Sequence, residues 1–326
     1  LIAIKKYQLS IEEQLKTLSA PGHPVELYAP VEYIVSLGGK RIRPVLVLAA
    51  CELFDGKHSD ALPAAVAIEM FHNFTLVHDD IMDKAPLRRG KTTVHEKWND
   101  NTAILSGDVM LVKAYLELSK IDPLKLPVVL EVFSKTAIEV CEGQQLDMNY
   151  ESREVISIAM YLEMIGLKTA ALIAASLQLG ALAGGARAED AARMYDFGKN
   201  LGMAFQLQDD ILDVYGDEKK FGKQKGGDII SNKKTFLLLK AMELSAGKPE
   251  LEKELSEWLR VAGAEMEKKV GAVTAIYNRL GIRAMAENEM TRYYQEALKN
   301  LHDIPLTQNK KKDLIDFVDS LIVREN

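Results

Sequence analysis

The chain has 326 residues, 48% of them apolar, with a net charge of −6 and a pI near 5.7. That length can bury a large core, and an acidic balance without a basic stripe leaves no nucleic-acid surface to expect. The only two cysteines, Cys51 and Cys141, make neither a metal-ligand spacing nor a disulfide framework, which points to a reduced, cytoplasmic protein.

The opening residues 1–10 carry Lys5 and Lys6 but no signal-peptide core or cleavage site. Turn signals at residues 21–24, 55–60, 84–90, 122–127, 184–188, 216–227 and 247–249 are short, and none resembles a linker. Between them apolar residues recur at three- and four-residue spacing, as in Ile68, Phe71, Phe74, Val77 and Ile81. Residues 45–48 could pass for a short strand, but they run on into Ala49, Ala50, Cys51 and Glu52, which suits a helix entered at Pro44. The apolar stretch 169–186 is long enough to raise a membrane span. It carries Thr169, Ser176, Gln178 and three glycines, and its apolar content is mostly alanine, so it reads as a tightly packed buried helix with no stable membrane insertion. The longest basic run, Lys310 to Lys312, reads as a solvated loop or helix end. The expectation is one all-α domain over residues 1–326 with ten or more helices; residues 248–326 could form a tail bundle, but nothing marks a boundary.

One short pattern recurs. Asp79-Asp80-Ile81-Met82-Asp83 is echoed by Asp209-Asp210-Ile211-Leu212-Asp213, each after apolar helical sequence. On a helix, Asp79 and Asp83 share a face, as do Asp209 and Asp213. Like charges at that spacing destabilise a helix unless a cation joins them, and few carboxylates plus phosphate oxygens make a shell that suits magnesium. Cations that could answer a second anion lie in Gly38-Gly39-Lys40-Arg41-Ile42-Arg43-Pro44, at Arg88 and Arg89 after the first motif, at Lys168 before the apolar helix, and at Lys223, Lys233 and Lys234 after the second motif, the last two opening a helix.

Taken in order, GGKRIRP at 38–44, His72, DDIMD at 79–83, Arg88-Arg89-Gly90, GQQLD at 143–147, Lys168-Thr169, FQLQDDILD at 205–213 and GKQKGGD at 222–228 resemble the trans-isoprenyl diphosphate synthase (polyprenyl synthetase) family. The resemblance implies an all-α bundle around a deep central cavity, a homodimer, and three magnesium ions per active site. It implies that Asp79, Asp80 and Asp83 bind the allylic diphosphate through magnesium, with Asp79 and Asp83 as direct ligands. Asp209 would hold another ion, supported by Asp210 and Asp213. Arg88 would contact the allylic diphosphate, and Gln144, Asp147, Lys168, Thr169, Gln206, Lys223 and Lys233 would line its site. Lys40, Arg43, His72 and Arg89 would hold isopentenyl diphosphate. His78 has no such match and reads as structural. Gln224 stands where the family commonly has Pro.

The implied chemistry is ionisation of the allylic diphosphate, attack by the isopentenyl double bond, and loss of a proton to the released diphosphate. On a helix Phe74 lies about 7.5 Å along the axis from Asp79, where bulk could stop the growing tail. In the family, long-chain members usually have a small residue at that position, and farnesyl synthases often have bulk there and at Thr75. Phe74 with Thr75 therefore implies a short product, geranylgeranyl (C20) or farnesyl (C15). Alternatives are a longer-chain synthase, a terpene cyclase or head-to-head condensing enzyme, a non-catalytic regulatory subunit, and an acidic helical scaffold. Lys40 and Arg43 argue against the cyclase and head-to-head readings, and the intact acidic motifs against the regulatory subunit.

Overall fold

The structure, a computed structural model, describes residues 2–216 and 226–322. Lys223 and Gln224 lie outside them. In chain order the elements are α1 (Ile2–Leu18), α2 (Val25–Ser36), α3 (Ile42–Leu53), α4 (His58–Met82), the short strands β1 (Leu87–Arg88) and β2 (Lys91–Thr92), α5 (Val94–Lys97), α6 (Asp100–Leu118) and α7 (Leu126–Ser152). Next come α8 (Ile158–Ile165), a π turn (Gly166–Ala170), α9 (Ala171–Ala183) and α10 (Ala188–Tyr215). After residue 225 follow α11 (Gly227–Ile230), α12 (Phe236–Ser245), α13 (Pro249–Leu259), α14 (Met266–Leu280), α15 (Ile282–His302) and α16 (Gln308–Ile322). The all-α expectation holds.

The chain divides into two compact units. The first comprises Leu1–Lys135, Ala175–Tyr195 and Leu306–Leu314. At its core α4 packs against α3 and α6. The apolar period of α4 explains this: Ala61, Ala64, Ala65, Ile68, Phe71 and Val77 are buried along it. Residues 45–48 are helical and buried in α3, which starts at Ile42 rather than at Pro44. Pro44 still sits in the first turn, where its missing N–H has no partner to lose. Phe71 stacks on Phe133 at 5.4 Å, and Phe133 on Tyr115 at 5.1 Å.

The second unit comprises Thr136–Ala174, Asp196–Pro305 and Ile315–Asn326. Its core gathers Tyr161, Met203, Leu207, Phe236, Leu237, Val273, Ile276 and Tyr277. Lys233 and Lys234 precede α12 rather than opening it, and Lys234 Nζ donates to the carbonyl of Tyr150 at 2.7 Å, at the C-terminal end of α7. A cation there is favoured by the carbonyls that helices leave unpaired.

Two further expectations need correction. Lys310 to Lys312 do lie at a helix end, in the first turns of α16, but are not all solvated: Lys310 pairs with Asp55 at 2.5 Å and Lys311 is only 1% exposed. Lys168 and Thr169 do not precede a helix. They lie inside one that runs through from Ile158 to Ala183, interrupted only by the π turn. That helix is long and apolar enough to cross a membrane, yet 56% of its most apolar window is buried within the protein. Its burial is backbone-close, as the expectation of tight packing required: a Cβ on Gly180 would stand 2.1 Å from the carbonyl oxygen of Val47. Gly180→Ala should therefore lower stability by about 1–3 kcal/mol, the range for overpacking, read as a lower urea midpoint at unchanged slope.

Candidate functional site

The first unit holds the amino-terminal cation cluster. Arg41, at the N-cap of α3 with φ 50°, does not join it. Its guanidinium turns inward, donating to Glu69 Oε1 and Glu12 Oε1 at 2.6 Å each and to the Val35 carbonyl at 2.9 Å. This buried pairing anchors the loop, and removal of one partner would strand a buried charge. Lys40 stays exposed and Arg43 half-buried. Arg43 Nη1 donates to His72 Nε2 at 3.3 Å. A guanidinium can only donate, so this bond leaves the ring proton on Nδ1. Burial, then the charges of Arg43, Arg89, Arg88 and Arg41, hold the His72 pKa well below the ordinary imidazole value.

Arg89 comes to the same loop from another element. The two strands pair Arg88 with Lys91, and the connecting residues Arg89 and Gly90 have φ of 54° and 72°, a type I′ turn. The Arg89 guanidinium lies on Gly39, where a Cβ would meet Nη2 at 3.0 Å. Lys40, Arg43, His72 and Arg89 thus gather around a glycine-led loop.

The first acidic motif ends α4. Lys84, with φ 50°, turns the chain, and Ala85 N–H returns to the Asp80 carbonyl at 2.9 Å while Lys84 N–H bonds Ile81 O at 3.2 Å, a Schellman stop. Asp80 is buried, and Arg88 Nε reaches its two oxygens at 2.9 and 2.8 Å. Asp79 is half-buried and Asp83 exposed. No basic residue stands in the last turn of α4, so the acids oppose the helix dipole. Upstream, Phe74 is 9% exposed and packs on His78 at 4.7 Å and Phe71 at 5.5 Å. His78 is held by the Ile104 carbonyl at 3.1 Å, the structural role expected of it. Thr75 donates its hydroxyl to the His72 carbonyl at 2.8 Å.

The second unit holds the other motif, in the last turns of α10, again without a basic residue there. Asp210 is buried and accepts from the Tyr161 hydroxyl and from Gln206 Nε2 at 3.0 Å. Burial first, and Asp228 next, push its pKa up to about 7. Gln206 in turn accepts from Thr169 at 3.0 Å. Asp213 accepts the Asp228 N–H at 3.0 Å, which ties down the start of α11. Asp209 is half-buried. Lys168 pairs with Asp147 at 2.5 Å, Gln144 is buried nearby in sequence on α7, and Lys233 is exposed. Among the described residues, no three His, Cys, Asp or Glu side chains converge enough to hold a metal alone. So few carboxylates in one place would fit an ion that completes its shell with water or phosphate oxygens.

Residues 24–279 match the family model described as polyprenyl synthetase. The chain belongs to the polyprenyl synthetase family. A geranylgeranyl diphosphate synthase of Methanosarcina mazei is 37% identical over 99% of this chain and 97% of its own. A geranylfarnesyl diphosphate synthase of Natronomonas pharaonis is 40% identical over 68% of this chain and 70% of its own. A crystal structure of a geranylgeranyl pyrophosphate synthase superposes with a TM-score of 0.93 at 44% identity, covering 99% of both chains. The fold is therefore the all-α isoprenoid synthase fold of that family, and the protein is a prenyltransferase.

Two polar residues of the second unit were not legible in the motifs. Tyr161 lies 49 positions from its partner Asp210 and carries no local signal beyond its place on an apolar helix. Lys199, whose Nζ donates to the Gly166 carbonyl at 2.6 Å, looks in sequence like any surface lysine of α10. For His72 a direct check exists. Long-range proton–nitrogen NMR at pH 7 should show a neutral ring protonated at Nδ1. Because the folded pKa is lowered, the unfolded chain binds the extra proton first, so stability should fall as pH drops below about 6.5, and His72→Gln should reduce that slope.

Proposed function

We propose that this prenyltransferase condenses isopentenyl diphosphate with an allylic diphosphate and stops at a short product, geranylgeranyl (C20) in preference to farnesyl (C15). The observation that carries the two-diphosphate reading is the chemical difference between the two kinds of cluster. Lys40, Arg43, His72 and Arg89 offer donors and no carboxylate, which suits a diphosphate bound directly. Asp79, Asp83 and Asp209 offer carboxylates, which suits a diphosphate bound through magnesium. Magnesium, when bound there, would neutralise the allylic diphosphate and make it a better leaving group.

The chain's own residues supply the rest. Asp80 fixes the Arg88 guanidinium, which then stands ready for the phosphate oxygens on which charge develops. Lys168, Thr169, Gln144, Asp147, Gln206 and Lys233 line the allylic side, and Lys223 joins them by resemblance. Neutral His72 adds a donor at Nδ1 without adding to the crowd of cations. The double bond of isopentenyl diphosphate, held by its diphosphate, attacks the allylic carbon, and the proton lost passes to the departing diphosphate. Apolar walls would keep water from the cation. Phe74, wedged by Phe71 and His78, limits the product. Geranylgeranyl synthesis by the Methanosarcina mazei relative supports C20.

We also read the protein as a homodimer. Leu105, Val112 and Leu116 are spaced seven and four residues apart on α6 and are 58%, 66% and 58% exposed. Such an apolar stripe is what a second copy would cover.

Purified protein with magnesium, isopentenyl diphosphate and C5, C10 or C15 primers should yield mainly C20 product by chromatography. No product from any primer would overturn the reading. Asp79→Asn and Asp209→Asn should each lower kcat by at least about a hundredfold, as loss of a key electrostatic group does. Phe74→Ala should lengthen the product, and unchanged length would remove Phe74 as the floor. Glutamate at Leu105, Val112 and Leu116 together should convert a dimer to a monomer by light scattering.

A further inference from the structure

The helix that carries Lys168 and Thr169 changes register midway. It is α-helical from Ile158 to Ile165, opens into a π turn over Gly166–Ala170, and resumes as α9 at Ala171. In the π turn Ala171 N–H reaches back five residues to the Gly166 carbonyl. A π turn inserts one residue, so the side chains after it point about 100° away from where an unbroken α-helix would send them. Such a turn is rare because it packs and bonds less well than an α turn, and it persists where its surroundings hold it.

Those surroundings are close-fitting. On α7, a Cβ at Gly143 would stand 2.3 Å from Lys168 N. On α10, a Cβ at Gly202 would stand 2.5 Å from Ala170 Cα, and one at Gly198 2.6 Å from Ala174 Cα. Three glycines therefore admit two helices to backbone contact with the turn and its exit. The fourth restraint is polar. Lys199 Nζ donates to the Gly166 carbonyl at 2.6 Å, the same oxygen that accepts the π-type bond from Ala171. The turn then delivers its two polar side chains in different directions, Lys168 to Asp147 at 2.5 Å and Thr169 to Gln206 at 3.0 Å.

We propose that Lys199 is a positioning residue for the allylic diphosphate: its ammonium on the Gly166 carbonyl holds the π register that presents Lys168 and Thr169. It acts through those residues and does not touch substrate. The inference rests on the assignment of Lys168 and Thr169 to the allylic diphosphate.

Lys199→Met keeps much of the apolar stem and removes the donor. Steady-state kinetics should show KM for the allylic diphosphate raised about tenfold, the size of one hydrogen bond to a charged group, with a lower kcat. KM for isopentenyl diphosphate should stay within about twofold, because Lys40, Arg43, His72 and Arg89 belong to the other compact unit. Lys199→Arg, which restores a donor, should recover most of the loss. Hydrogen exchange should quicken at the amides of Ala170 and Ala171 in the Met variant and not in the Arg variant. Unchanged allylic KM and kcat would overturn the proposal. So would an equal rise in both KM values with a lower melting temperature, which marks a merely structural lysine. A wild type that turns over no allylic primer defeats the functional reading itself, and the inference falls with it; the wild-type control separates that failure from the others.

Discussion

Aspartates stacked at the carbonyl ends of two long helices are the constraint from which the rest follows. Three carboxylates close α4 and three lie in the last turns of α10, with no basic residue in either last turn. The acids of each motif repel one another, and Asp83 and Asp213 also face the negative end of a helix dipole. The surrounding chain offsets this unevenly. In each motif the middle aspartate is buried and fully engaged, Asp80 by Arg88 and Asp210 by Tyr161 and Gln206. Asp213 is committed to the backbone of Asp228. The pattern Asp-Asp-x-x-Asp thus sets its middle member apart: Asp80 and Asp210 are buried, while Asp79 and Asp209 are half-buried and Asp83 is exposed.

Half-buried lysines follow the opposite rule and go where carbonyls accumulate. Lys113 reaches the Leu18 carbonyl at 2.5 Å, Lys125 that of Ala183 at 2.6 Å, and Lys234 that of Tyr150. These lysines are spent on helix ends and cannot serve a substrate. Arg41 belongs with them, since each of its three guanidinium nitrogens donates within the protein, to Glu12, Glu69 and Val35. What separates Lys40 and Arg43 from Arg41 is only the direction each side chain takes from one short loop. Left-handed backbone at Arg41 sends its guanidinium inward to the buried carboxylate of Glu69.

Much of this was legible in the chain itself. The 3.6-residue period of α4 and the doubled acidic motif follow from local pattern, because a helix places its side chains by a fixed rotation. Motif order was enough to indicate the family. The sequence could also place His72, Asp79 and Phe74 on one helix, since their separation along it is a matter of rise per residue. It misread Lys168 as a helix-end residue because a π turn leaves no local signature. The turn depends on Gly143, Gly198 and Gly202, whose neighbours lie up to 32 positions away in the chain.

What the sequence determined by itself was the inventory: helices, two acidic motifs, a glycine-led cationic loop, and a bulky residue one and a half turns before the first aspartate. Tertiary structure decided how the members of that inventory are buried and partnered. Asp80 and Asp210 are occupied, Arg41 is buried, and His72 is neutral beneath Arg43. These outcomes depend on burial and on partners 4 to 49 residues away, and hydrogen bonding and desolvation act on distances in space, which residue spacing does not record.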